Sequence, residues 1–91
     1  MYSLIFTSNA EADLAMLCKS GDKTIIKRLN RIKEELKTHP RTGIGKPQLK
    51  KYAYAGCWSR EISEKHRIVY IIEEETMRVV VLKAYGHYDD K

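Results

Sequence analysis

The sequence predicts an α+β domain in which an antiparallel β-sheet carries an N-terminal helical hairpin on one face. Three observations lead there. Apolar residues recur at three- and four-residue spacing between Ala10 and Thr38, as in helices with one buried stripe. β-Branched and aromatic residues gather in short runs on either side of that stretch, as strands require. Glycines, prolines and short polar clusters separate the runs. The order β-α-α-β-β-β-β packs two helices on one sheet face and leaves the other for a ligand. Ninety-one residues accommodate a single domain, 1–91, with a modest core.

Tyr2–Thr7 alternates loosely and is rich in strand formers, so it reads as the first strand. Ser8 and Asn9 can cap a helix over Ala10–Lys19 that buries Leu14, Leu17 and Cys18. Gly21 stops this helix, and Asp22 caps a second over Lys23–Thr38. The second helix aligns Ile25, Ile26, Leu29, Ile32 and Leu36 in one stripe and turns Lys27, Arg31, Glu34 and Glu35 to water. Pro40 forbids its continuation. Two glycines and two prolines make Pro40–Pro47 a loop, whose charges are Arg41 and Lys46. Gln48–Tyr54 reads as the second strand, entering the sheet through Leu49, and Gly56 turns it into the third, Trp58–Ile62. Side-chain alternation there puts Trp58, Arg60 and Ile62 on one face and Ser59 and Glu61 on the other. Ser63–His66 is a hairpin turn, Arg67–Ile72 the fourth strand and Glu73–Thr76 a tight turn. The fifth strand, Met77–Tyr85, carries the apolar run Val79–Leu82, which suits a central strand covered on both faces.

Composition narrows the function classes. Seventeen Lys and Arg against twelve Asp and Glu give a net charge of +5, which favours a polyanionic partner. The positive charge is concentrated in Lys23–Arg31 and Arg41–Lys51, while Glu73–Glu75 form an acidic turn. No apolar run approaches the ~20 residues of a membrane helix. Met1 leads straight into a strand, without a basic stretch and apolar signal core, so a cytoplasmic protein with no membrane partner is expected. Cys18 and Cys57 make neither metal-ligand spacing nor a disulfide framework, and both are expected reduced and buried. No motif calls for a metal or a cofactor.

If the polyanion is RNA, the residue types present are sufficient for chemistry on it. The 2′-hydroxyl of RNA can attack the adjacent phosphorus without a metal if the protein removes one proton, donates another and stabilises the phosphate charge. Arg60, Arg67, Lys46, Lys50 and Lys51 are the candidate cations, and His66, His87 and the tyrosines the candidate acids and bases. Arg67 stands out, because a guanidinium fork holds two phosphate oxygens and keeps its charge. Its structural alternative is an ion pair with Glu61 or Glu64 across the hairpin. Trp58 and Tyr70 read as core residues or as base-stacking platforms.

Lys46-Pro47, Trp58-Ser59-Arg60, His66-Arg67-Ile68-Val69-Tyr70 and His87-Tyr88, in that order, resemble the YoeB/Txe family of bacterial type II toxins. This family belongs to the RelE superfamily of ribosome-dependent mRNA endoribonucleases, and the similarity covers nearly the whole chain. It implies a RelE-like fold and metal-independent cleavage of mRNA in the ribosomal decoding site. It implies Arg67 as phosphate clamp, His87 as general acid and Tyr88 as a stacking or positioning group. Lys50, Arg60, Lys46 and Lys51 follow as RNA contacts. Implied partners are a YefM-like antitoxin with an acidic C-terminal segment, the ribosome with its mRNA, and a second toxin in a homodimer.

The chain departs from the family pattern at three places. Gln48 stands where the family commonly carries a catalytic glutamate, in a segment one residue shorter; Glu61 replaces a second basic residue; and Asp89-Asp90-Lys91 extend the tail. Either Glu61, Glu64 or a deprotonated His87 is then the base, or the enzyme works as other RelE relatives do, with lysines, arginine and tyrosine. The alternative is a weak or inactive member that only binds RNA or antitoxin.

Overall fold

A computed structural model describes residues 1–51 and 56–86. In chain order the elements are β1 (Ser3–Phe6), α1 (Ser8–Lys19), α2 (Lys23–Thr38), β2 (Gln48–Leu49), β3 (Trp58–Glu61), β4 (Arg67–Glu73) and β5 (Arg78–Lys83). The five strands form one sheet in the order β1-β5-β4-β3-β2.

Steps β2-β3, β3-β4 and β4-β5 are antiparallel, but β1 runs parallel to β5, from Ser3 opposite Arg78 to Phe6 opposite Val81. The sheet is thus antiparallel as expected except for this one parallel step at its β1 edge. β2 runs against β1, and three antiparallel steps bring β5 back into the direction of β1. Nothing in the alternation of β1 carries its pairing direction.

Each helix begins where a side-chain oxygen can satisfy its free N–H groups. Asp22 caps α2 as expected, its Oδ1 accepting from the N–H groups of Thr24 and Ile25. α1 is capped by Thr7 rather than Ser8 or Asn9; Thr7 Oγ1 accepts from Ala10 N–H and donates to the Leu82 carbonyl, fastening the helix start to β5. From the helices, Ala10, Leu17, Leu29, Ile32 and Leu36 meet Ile62, Ile68, Tyr70, Val79, Val81 and Ala84 of the sheet side in one core. Burial of each Leu, Ile or Val contributes roughly 1.5–3 kcal/mol. Cys18 is exposed and Cys57 half-buried, against the expectation that both are buried.

Two features position the other face. Between Val69 and Tyr70 the β4-β5 register shifts, so that Tyr70 pairs with Val81 but Val69 with Lys83. Leu82 is thus the extra residue of a β-bulge, and the bulge reverses the parity of β5 beyond it. Val79 and Val81 point to the helices, and Lys83 joins Val69 on the far face. The second feature is the α2-β2 connection, described next. Tyr52–Tyr54, the distal half of the expected second strand, lie outside the described residues.

Candidate functional site

Two arginines on neighbouring strands, Arg60 on β3 and Arg67 on β4, have opposite fates. Arg60 shares the helix-side parity of Trp58 and Ile62, and its side chain is fully buried. All five of its N–H groups find acceptors. Nε donates to the Tyr70 hydroxyl at 3.1 Å, Nη1 to Glu35 Oε1 at 2.7 Å and the Ile44 carbonyl at 3.4 Å, and Nη2 to the His39 and Thr42 carbonyls at 2.8 and 2.7 Å. Tyr70 completes the cage by donating to the Pro40 carbonyl at 2.7 Å. Arg60 is therefore a structural nucleus for the α2-β2 loop, which corrects the expectation that it contacts RNA phosphate. A buried guanidinium with every donor engaged has nothing left for a ligand.

Glu35 also differs from expectation. Rather than facing water, its side chain is only 13% exposed, and its carboxylate accepts from Arg60, the Ile44 N–H and Arg31 Nε. Burial pushes its carboxyl up, but the hydrogen bonds from Ile44, Arg60 and Arg31 outweigh that and hold it below the ordinary carboxylate range. Burial, opposed by Arg60, raises the Tyr70 phenol, which stays neutral and able to donate. Tyr70 is core, not a stacking platform.

The opposite face is built from the alternate residues of the same strands. The pairs Gln48–Ser59, Ser59–Val69 and Glu61–Arg67 place these side chains on one surface, where the bulge adds Lys83. Lys50 belongs there too, two residues beyond Gln48; its N–H donates to the Cys57 carbonyl at 2.8 Å, and the residue is only 7% exposed. Arg67, 18% exposed in its side chain, lies 3.4 Å from Glu61 Oε2 through Nη2. That is long for a charge-assisted bond, which lies at about 2.7–2.9 Å. Arg67 Nε is buried with no partner, and so is Ser59 Oγ; among the described residues these are the two orphaned side-chain atoms. Buried donors normally have partners, so the two orphans make this face the candidate site. Burial pushes the Cys57 thiol up, away from the nucleophilic thiolate.

Gly86, the last described residue before His87, is held on both sides. Its N–H donates to His66 Nδ1 at 2.9 Å, and its carbonyl accepts from the Arg67 N–H at 3.0 Å. The His66 ring also contacts Tyr85, with centroids 4.5 Å apart. His66 is thus a turn residue that anchors Tyr85 and Gly86, with its Nδ1 as the acceptor. His87 and Tyr88 themselves lie outside the described residues.

Residues 6–88 match the family model described as the YoeB-like toxin of bacterial type II toxin-antitoxin systems. The chain belongs to that family. Toxin YoeB of Streptomyces coelicolor is 34% identical over 85 residues, covering 93% of this chain and 98% of the relative. A YoeB/ParE toxin from Agrobacterium tumefaciens has the same fold, with a TM-score of 0.85 at 30% identity, over 94% of this chain and 99% of that one. YoeB of Staphylococcus aureus, solved as a dimer, superposes with a TM-score of 0.79 at 26% identity, over 96% of this chain and 98% of that one. In its complex with YefM the same toxin gives 0.78 at 25% identity, over 97% of this chain and 99% of that one.

In this YoeB-like chain the predicted cations therefore separate. Arg67 and Lys50 share the far face, Lys46 and Lys51 are exposed near it on the β2 segment, and Arg60 is removed from it. Lys83 was not foreseen, because a bulge leaves no periodic trace; Glu35 could have been, since it lies three residues from Ile32 at the edge of the buried stripe. A concavity of about 770 Å³ between the α1-α2 turn and the β3-β4 turn lies elsewhere; Leu17, Ile25, Arg28, Ile62 and Tyr85 help line it. An extended polyanion needs a charged surface rather than an enclosed pocket.

Proposed function

We propose that this chain is a ribosome-dependent mRNA endoribonuclease, the toxin half of a type II pair, that cleaves by 2′-hydroxyl attack on the adjacent phosphate. The observation that carries the reading is Arg67: a strand-mounted guanidinium, loosely held by Glu61, with its Nε buried and without a partner. Such a group can close on a phosphate at the moment its charge increases. Lys50 and Lys83 lie on the same face to hold the neighbouring backbone, and Lys46 and Lys51 extend the cationic surface. The clamping of Gly86 against Arg67 favours His87, the next residue in sequence, as the acid that protonates the leaving 5′-oxygen, with Tyr88 positioning the base beside it.

The reaction needs no metal, because the substrate carries its own nucleophile and the cations neutralise the phosphate. The ribosome supplies both affinity through its phosphates and a bent message, so that a modest catalyst meets an aligned bond. The S. aureus relative, solved with YefM and as a dimer, supports an antitoxin partner and a homodimer here. An acidic antitoxin segment would cover the basic face and keep the toxin silent in the cytoplasm.

Primer extension on a translated message, with and without ribosomes, tests the reading. Cleavage by the wild type only with ribosomes, lost in His87→Ala, is expected. Ribosome binding without cleavage would instead identify a chain that binds RNA or antitoxin but no longer cuts, an outcome that the Glu61 contact on Arg67 would explain.

A further inference from the structure

Among the described residues of the Arg67 face, one carboxylate lies beside the candidate phosphate site. We infer that Glu61 is the general base that takes the 2′ proton, an assignment that rests on the nuclease reading above. Glu61 and Arg67 are directly paired across β3 and β4, and Glu61 Oε2 lies 3.4 Å from Arg67 Nη2. The Glu61 side chain is 32% exposed, which leaves it open to a hydroxyl. Its backbone is fixed on both sides: the N–H donates to the Gly45 carbonyl at 2.6 Å, and the carbonyl accepts from Arg28 Nε at 3.2 Å. A carboxylate mounted this firmly next to the phosphate's guanidinium is a pre-positioned proton acceptor. Gln48, across β3 on the same face, is an amide and cannot serve.

The step balances. The 2′ O–H proton passes to a Glu61 oxygen as O2′ bonds to phosphorus; the P–O5′ bond breaks, and the leaving O5′ takes a proton from the general acid. The products are a 2′,3′-cyclic phosphate and a 5′-hydroxyl, and Arg67, released from Glu61, neutralises the phosphate between them. The charged and titratable groups around Glu61 are Arg67 on β4, Arg28 on α2, Glu64, Lys65 and His66 of the β3-β4 turn, and Lys50 and Lys83 on the shared face.

Single-turnover cleavage on programmed ribosomes, followed against pH, decides the matter with Glu61→Gln, Glu61→Asp and Glu61→Arg. Glu61→Gln is expected to slow cleavage about 10²- to 10⁴-fold with ribosome affinity unchanged, and to remove the rise of rate with pH on the acid side. Glu61→Asp should retain measurable cleavage with that rise intact, which separates lost chemistry from lost folding. Glu61→Arg should be as slow as Glu61→Gln despite its added cation. Wild-type or faster cleavage by Glu61→Gln or Glu61→Arg would overturn the inference and leave Glu61 as a mere restraint on Arg67. A wild-type protein that never cleaves would overturn the nuclease reading itself, and this assignment with it.

Discussion

Arg60 and Arg67 are the same residue type, seven positions apart on adjacent strands, and nothing in their chemistry distinguishes them. Parity does. Arg60 shares the face of Ile62, which any reading of the hairpin puts in the core, so its burial was legible once the amphipathic pattern was given precedence over the residue's charge. That its partner is Glu35 was less legible, because a glutamate in a helix rich in charge reads as solvated. Removing Arg60 takes the buried cation from Glu35, which keeps only Arg31 and the Ile44 N–H, and leaves the His39 and Thr42 carbonyls without their donor, so Arg60→Ala should lower stability by about 3–5 kcal/mol in urea unfolding. Arg60→Lys should recover little of it, since an ammonium cannot serve five acceptors in a plane. The Glu35 carboxyl titrates lower in the folded chain than in the unfolded one. Its contribution is therefore present above the unfolded carboxylate pKa of ~4 and is lost as pH falls through the lower folded value. Glu35→Gln should be less stable than the wild type near neutral pH and lose less stability on acidification.

At the level of elements, the α2-β2 connection matters most. Its proline and glycine content announced a loop, but not that the loop is tied down from within by Arg60 and Tyr70. Gly45 has a φ of +83°, and a Cβ there would fall 2.7 Å from the Glu61 carbonyl oxygen. Gly45→Ala should cost roughly 1–3 kcal/mol and disturb Glu61 at the same time. Lys46 follows with a φ of +52°, a conformation that costs a non-glycine residue about 1–2 kcal/mol. Lys46→Gly should accordingly raise the urea midpoint while weakening ribosome binding and flattening its salt dependence, the signature of a residue kept for its charge. The bulge at Leu82 is a second such element. It was invisible in the continuous run Val79–Leu82, yet it is what turns Lys83 onto the face of Arg67.

For the whole molecule, two helices on a five-stranded sheet followed from apolar spacing and turn chemistry, and the boundaries of α2 agree with those expected. What did not follow was the parallel β1-β5 pair, because strand direction is settled by which edges remain when the chain closes and not by any local pattern. The candidate face was partly legible: Arg67 and Lys50 share one side of the sheet, Arg60 is buried on the other, and no periodic pattern places Lys83 beside Arg67. The account therefore depends on the two faces of one sheet having separate duties, one sealed around Arg60 for stability and one holding Arg67 for RNA. The most direct test is the rate at which Arg67→Ala cuts message on programmed ribosomes, measured beside its unfolding curve. The account predicts a loss of about 10²- to 10³-fold with stability nearly unchanged. Cleavage by Arg67→Ala at the wild-type rate would contradict it.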